Sequence, residues 1–165
     1  MTASLLPEDI VALAQRVVDE NIVAGRKIAL AESCTGGLVA AAITEIPGSS
    51  SVLDRSFVTY SNDAKRELLD VPEDIIDTFG AVSVACVYAM AQGALKASEA
   101  DVAVAISGVA GPGGGSDSKP VGTVVFARAV RGVEEPEAEL RNFEEQDRAG
   151  VRRQATLCAL ELLLP

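Results

Sequence analysis

The chain has 165 residues, 48% hydrophobic and 23% charged, enough apolar material for the core of one domain spanning 1–165 and too much for a disordered chain. Fourteen Lys+Arg against 24 Asp+Glu leave a formal net charge of −10, which repels phosphate backbones and anionic membranes and argues against nucleic-acid binding. Histidine is absent, so a Ser-His-Asp triad, a Cys-His dyad, a His-ligated zinc and a His general base are excluded, and acid–base chemistry falls to Lys, Tyr or carboxylates.

The segment Met1 to Asp9 carries acids and no basic residue, so it does not read as a signal peptide. From Glu8 to Ala24 the spacing predicts a helix with Ile10, Val11, Ala14, Val17, Val18 and Ile22 on one face, stopped at Gly25. Lys27 to Ala31 reads as a short strand, and a helix from about Thr35 to Glu45 follows, ended by Ile46-Pro47-Gly48-Ser49. Phe57 to Tyr60 reads as a strand, with Ser61-Asn62 capping a helix through Leu69. Val71-Pro72-Glu73-Asp74 opens another short helix.

From Ser83 to Ser98, the residues Val84, Val87, Tyr88, Ala91, Ala94 and Leu95 form an amphipathic face. Asp101 to Ile106 is apolar after its first residue, as in a strand covered on both sides. Val121 to Val130 reads as a longer strand and Glu137 to Phe143 as a weaker, exposed one. A last helix runs from about Asp147 to Leu163, with Val151, Ala155, Cys158 and Leu162 inward. This alternation predicts an α/β fold, a three-layer α/β/α sandwich with a mostly parallel sheet and a late antiparallel section. No stretch approaches the roughly 18 to 20 apolar residues of a membrane span. Cys34, Cys86 and Cys158 are odd in number and without metal-like spacing, which fits a reduced, cytoplasmic compartment.

Ligands of such sheets bind beyond the carboxyl ends of the strands. Three polar or glycine-rich segments stand at such ends: 32–37, 60–65 and 107–115. They form one site if their strands are neighbours.

In Glu32-Ser33-Cys34-Thr35-Gly36-Gly37, Ser33 and Cys34 are nucleophile candidates, and backbone N–H groups at the next helix start suit an oxyanion or phosphate. A capping role for Ser33 or Thr35 explains the same residues. Lys65 falls in the first turn of its helix, where a cation is disfavoured. With partial burial it becomes a neutral amine able to deprotonate a serine, although a solvated surface lysine is the plainer alternative. Tyr60 ends an apolar strand and could relay a proton, whereas Tyr88 reads as core.

Ser107 to Ser116 holds five glycines in 108–115, among them Gly108, Gly111 and Gly113, and lets a backbone approach a ligand closely. It matches neither GxGxxG nor GxxxxGK[ST], and a merely flexible loop reads the same way. Arg148, Arg152 and Arg153 near the start of the last helix suit a phosphate or ordinary ion pairs, the latter being the better reading for Arg152 and Arg153.

Together these segments resemble one family, the CinA C-terminal domain, whose members include bacterial nicotinamide-nucleotide amidohydrolases. The resemblance rests on residues 31–37, Phe57 to Lys65, Gly80-Ala81-Val82-Ser83, Ile106 to Gly114, Lys119 to Val124 and Val151-Arg152-Arg153-Gln154-Ala155, and spans about residues 8 to 163. It implies hydrolysis of the carboxamide of nicotinamide mononucleotide, giving nicotinate mononucleotide and ammonia, within the pyridine nucleotide cycle of NAD metabolism. It also implies a Ser33/Lys65 pair assisted by Tyr60, an oxyanion held by amides around Thr35, Gly36 and Gly37, and a nucleotide held by loop 107–115 (Ser107, Gly108, Gly111, Gly113) and Arg148. It implies no metal and no cofactor. It further implies a homo-oligomer, which the apolar surplus also favours. The chain departs from many relatives in having Gln146 before Asp147-Arg148 where they carry glycine, and the resemblance does not extend to the N-terminal molybdopterin-binding-like domain of longer members, so that domain's activity is not expected of these residues. A non-catalytic nucleotide-binding module and a Cys34-dependent amidase built with Lys65 and Glu32 are the competing readings.

Overall fold

The computed structural model describes residues 3–144 and 147–165, so Gln146 lies outside the described residues. Helix α1 (Glu8–Ala24) ends where predicted, with Gly25 in the left-handed conformation at φ 63°, which a side chain would strain. The other elements are β1 (Ile28–Glu32), α2 (Leu38–Thr44), β2 (Leu53–Val58), α3 (Asn62–Leu69), α4 (Glu73–Phe79), α5 (Val84–Lys96), β3 (Val102–Gly108), β4 (Thr123–Val130), β5 (Glu137–Asn142) and α6 (Arg148–Leu162).

The five strands form one sheet in the order β2-β1-β3-β4-β5. The pairs β2-β1 and β1-β3 are parallel and β3-β4 and β4-β5 antiparallel. Four strands therefore run one way and β4 runs back, as the predicted late antiparallel section requires.

Alternation along the buried strands sorts side chains by size. Ile28, Leu30, Val102, Val104, Ile106, Val124 and Phe126 face α1, α2 and α6. Ala29, Ala31, Ala103, Ala105, Ala127 and Ala129 face the α3–α5 side, where their small size lets α5 lie close to the sheet. At the crossing of α5 with the end of α3, a Cβ on Gly93 would stand 2.0 Å from the Leu69 carbonyl oxygen.

Several expectations need correction. The strand expected at Phe57–Tyr60 is β2, Leu53–Val58, leaving Thr59 and Tyr60 beyond its end. As an edge strand it has no fully buried residue and is interrupted by the polar run Asp54-Arg55-Ser56, so apolar content located only its last residues. The helix expected from Thr35 begins at Leu38, because Gly36 (φ 59°) and Gly37 (φ 104°) carry the turn out of the helical region. Ile22 is 47% exposed, and Asn21 takes the inward position at the end of α1. Its amide donates to the carbonyls of Val17 at 2.8 Å and Leu163 at 3.0 Å.

Candidate active site

The register levels the ends of the three parallel strands, with Glu32 opposite both Val58 and Ile106. The chain segments that leave these ends, 33–37, 59–65 and 107–114, therefore meet. A cavity of about 320 Å³ opens between them, lined by Ser33, Cys34, Tyr60, Asn62, Lys65, Ala81, Val82, Ser107 to Gly111, Gly113, Gly114 and Arg148. Its size falls in the range of small-molecule sites.

Ser33 and Lys65 sit at the bottom of this cavity, 7% and 1% exposed. Ser61 accepts a hydrogen bond from the Ala64 N–H at 3.0 Å, starting α3 so that Lys65 turns inward. Lys65 Nζ lies 3.1 Å from Ser33 Oγ, 2.9 Å from the Thr59 carbonyl oxygen and 3.1 Å from the Tyr60 carbonyl oxygen. Burial pushes its pKa below the ordinary lysine value, and the nearby thiols of Cys86 and Cys34 counter this. The two carbonyl oxygens can only accept hydrogen bonds. A neutral amine gives both hydrogens to them and is left with its lone pair toward Ser33 Oγ, the arrangement of a base beside a nucleophile.

Cys34 lines the same cavity, but burial raises its thiol pKa to about 11, so the thiolate is scarce near neutrality. Glu32, offered above as a partner for Cys34, is turned away into the start of α2. It accepts the Thr35 hydroxyl at 2.7 Å and the Val39 and Ala40 N–H groups at 3.0 Å each.

Thr35, Gly36 and Gly37 do not line the cavity. The Gly36 N–H donates to the Ser33 carbonyl at 3.0 Å and the Gly37 N–H to Glu32 at 3.2 Å. Within 33–38, among the described residues, the N–H groups without a hydrogen-bond acceptor are those of Cys34 and Thr35.

The glycine loop approaches from the opposite side. A Cβ on Gly108 would come within 2.8 Å of Val124 Cγ2 and 3.2 Å of Cys34 Sγ, so the close approach requires glycine. Arg148, on the first turn of α6, donates to the Gly111 carbonyl at 2.6 Å and to the Tyr60 hydroxyl at 3.2 Å. Tyr60 is 61% exposed, and its side chain stands at the mouth with Arg148.

Sequence reasoning missed two residues. Glu32 is a helix cap reached from the preceding strand, and Arg152, read as an ion-pairing arginine, donates to the Cys34 carbonyl at 3.1 Å. Arg153 does pair with an acid, Asp9, at 2.7 Å. A glutamate directly before a Ser-x-Thr-Gly-Gly turn was the only available signal for the first.

Residues 10–165 match the family described as the CinA C-terminal domain. The CinA-like protein of Akkermansia muciniphila is 52% identical over 138 residues, 84% of this chain and 33% of that protein. A putative competence-damage inducible protein of Symbiobacterium thermophilum is 59% identical over 108 residues, 66% of this chain and 25% of that protein. The chain thus spans about a third and a quarter of these two. The nicotinamide-nucleotide amidohydrolase PncC of Escherichia coli K12 is 49% identical over 155 residues, covering 94% of this chain and 93% of that one. Among solved structures, the competence/damage inducible protein CihA from Agrobacterium tumefaciens has a TM-score of 0.94 at 47% identity, over 98% of this chain and 97% of that one.

Proposed function

The chain belongs to the CinA C-terminal domain family, and on that premise we propose that it is an amidohydrolase that converts nicotinamide mononucleotide to nicotinate mononucleotide and ammonia. The observation that carries this reading is the buried Lys65 amine held 3.1 Å from Ser33 Oγ by two backbone carbonyls. Similarity to PncC over nearly its whole length supplies the substrate.

Ser33 Oγ attacks the carboxamide carbon while its proton passes to the Lys65 lone pair. The oxyanion takes the free N–H of Cys34, which lines the cavity beside Ser33. Lys65 then returns the proton to the departing nitrogen, ammonia leaves, and Ser33 carries a nicotinoyl ester. Water attacks that ester with Lys65 again taking the proton, and collapse frees the acid and restores Ser33. The substrate's pyridinium charge works with burial to disfavour the ammonium form of Lys65.

Arg148 and the glycine loop hold the phosphate and ribose at the mouth, and Tyr60 orients Arg148 there. In a chain of net charge −10, this local cation sets where an anionic group docks. No metal or cofactor takes part in these steps. The reaction belongs to pyridine-nucleotide recycling, and the three free, buried cysteines suit a reducing cytoplasm. Among the described residues, no helix is long and apolar enough to cross a membrane. Self-association into a homo-oligomer completes the reading.

The test is ammonia release from nicotinamide mononucleotide by the wild type, Ser33→Ala and Lys65→Met. The mechanism expects release by the wild type alone, with nucleotide binding retained in both variants. Unchanged release by Ser33→Ala would move the nucleophile to Cys34. Binding without release by any form would leave a nucleotide-binding module.

A further inference from the structure

Glu32 is fully buried and has no cation paired with it among the described ion pairs. Its carboxylate instead collects hydrogen-bond donors. Oε1 accepts from the Thr35 hydroxyl and the Gly37 and Val39 N–H groups, and Oε2 from the Ala40 N–H at 3.0 Å and the Ser56 hydroxyl at 3.4 Å. Helix α2 needs such a partner. Its N-cap is Gly37, which has no side chain to offer, and without Glu32 the Val39 and Ala40 N–H groups would lie unpaired.

The cap reaches across the nucleophile. Glu32 precedes Ser33, so the chain from its own Cα through Ser33 to Ala40 closes into a loop tied at both ends by one side chain. The Glu32 carbonyl accepts the Thr59 N–H at 2.9 Å, and the Thr59 carbonyl in turn faces Lys65 Nζ at 2.9 Å. The Ser33 N–H donates to the Ile106 carbonyl at 2.9 Å. One residue thus joins the turn that bears the hydroxyl to the segment that holds the amine.

We propose that Glu32 is a positioning residue for the Ser33–Lys65 pair: its buried carboxylate caps α2 and thereby fixes the turn that presents Ser33 Oγ to Lys65 Nζ. This inference rests on the serine reading of the site, and it assigns Glu32 no contact with substrate. Loosening the cap lets the 3.1 Å pair open, and a misplacement of about 1 Å costs on the order of a hundredfold in rate.

The test pairs Glu32→Gln with Glu32→Ala, each assayed well below its melting temperature, where it is fully folded by circular dichroism. Glutamine keeps the length and one acceptor but loses the charge and the partner of the Ala40 or Val39 N–H. The expected result is a kcat lowered at least tenfold in Glu32→Gln and further in Glu32→Ala, with KM within about threefold of wild type. A small alkyl fluorophosphonate, whose phosphorus bonds to Ser33 Oγ as fluoride leaves, should modify Ser33 correspondingly more slowly when followed by mass spectrometry.

Equal labelling rates and equal kcat in the folded variants would overturn the positioning role and leave the amidohydrolase reading intact. Slow labelling in the variants, together with no ammonia release by the wild type, would uphold positioning and overturn the substrate. A wild type whose Ser33 is not modified would sink both.

Discussion

Gly93→Ala sets two effects of opposite sign against each other. Gly93 lies inside α5, where alanine is favoured over glycine by about 0.8–1.0 kcal/mol of helix propensity, so local structure alone predicts stabilisation. Packing predicts the reverse. The added Cβ would stand 2.0 Å from the Leu69 carbonyl oxygen, 2.8 Å from its carbonyl carbon and 3.1 Å from its Cα. These are backbone atoms at the end of α3 and cannot rotate aside, so the helices must separate by about 1 Å. Overpacking of this kind costs about 1–3 kcal/mol, and a forced backbone shift lies at or above the upper end. Net of propensity, the loss is about 2 kcal/mol. At about 2–4 °C per kcal/mol for a chain of this size, the melting temperature falls by roughly 4–8 °C. Activity should fall with it, because α3 also carries Lys65. The assay is thermal unfolding followed by circular dichroism, alongside ammonia release at a temperature where both proteins are folded. A melting temperature equal to or above wild type would refute the close crossing and the route from Gly93 to Lys65.

The pH dependence follows from Lys65. Activity needs the neutral amine, and burial lowers its pKa from 10.5, so kcat/KM should rise with pH along an acid limb centred below 10.5; Lys65→Arg should have no activity at any pH. The same shift has a stability consequence: the unfolded chain binds the proton more tightly than the native one, so the Lys65 contribution falls as pH drops from 10.5 toward the native pKa. The difference in unfolding free energy between wild type and Lys65→Met should move against the wild type over that window, and a constant difference would contradict burial as the cause. Cys34→Ala should retain turnover, and iodoacetamide should inactivate the wild type slowly near neutrality, since the thiol pKa is raised to about 11. Fast thiol inactivation together with a dead Cys34→Ala would instead favour a cysteine nucleophile. Arg148→Ala, combined with Lys65→Met to block turnover, should weaken nicotinamide mononucleotide binding at least tenfold by calorimetry; unchanged affinity would remove Arg148 from phosphate binding.

Local chemistry made much of the chain legible in sequence. The apolar spacing from Glu8 and the glycine at 25 bounded α1, because helix period and a left-handed stop are properties of the residues themselves. The run Val102–Ile106 marked a doubly covered strand, and Ser61 marked the start of α3, whose cap bond is present. Zero histidine removed most hydrolytic machineries before any geometry was known, and the motifs around Ser33, Tyr60 to Lys65 and Ser107 to Gly114 carried the family resemblance. What sequence left open depended on neighbours distant along the chain. Edge strand β2 carries the polar run Asp54-Arg55-Ser56 and no fully buried residue, which periodicity cannot tell from loop. Whether Lys65 was a solvated cation or a buried amine turned on the carbonyls of Thr59 and Tyr60 and on Ser33, 32 residues away. In sequence Glu32 was legible only as an acid that could join Cys34 and Lys65 in an amidase; its capping role needed α2 to bring the Val39 and Ala40 N–H groups to it. The strand order β2-β1-β3 and its level register bring three separate segments to one cavity. Residue types set which chemistry was available, and the sheet pairing decided which groups meet, because distance between side chains is a property of packing rather than of spacing along the chain.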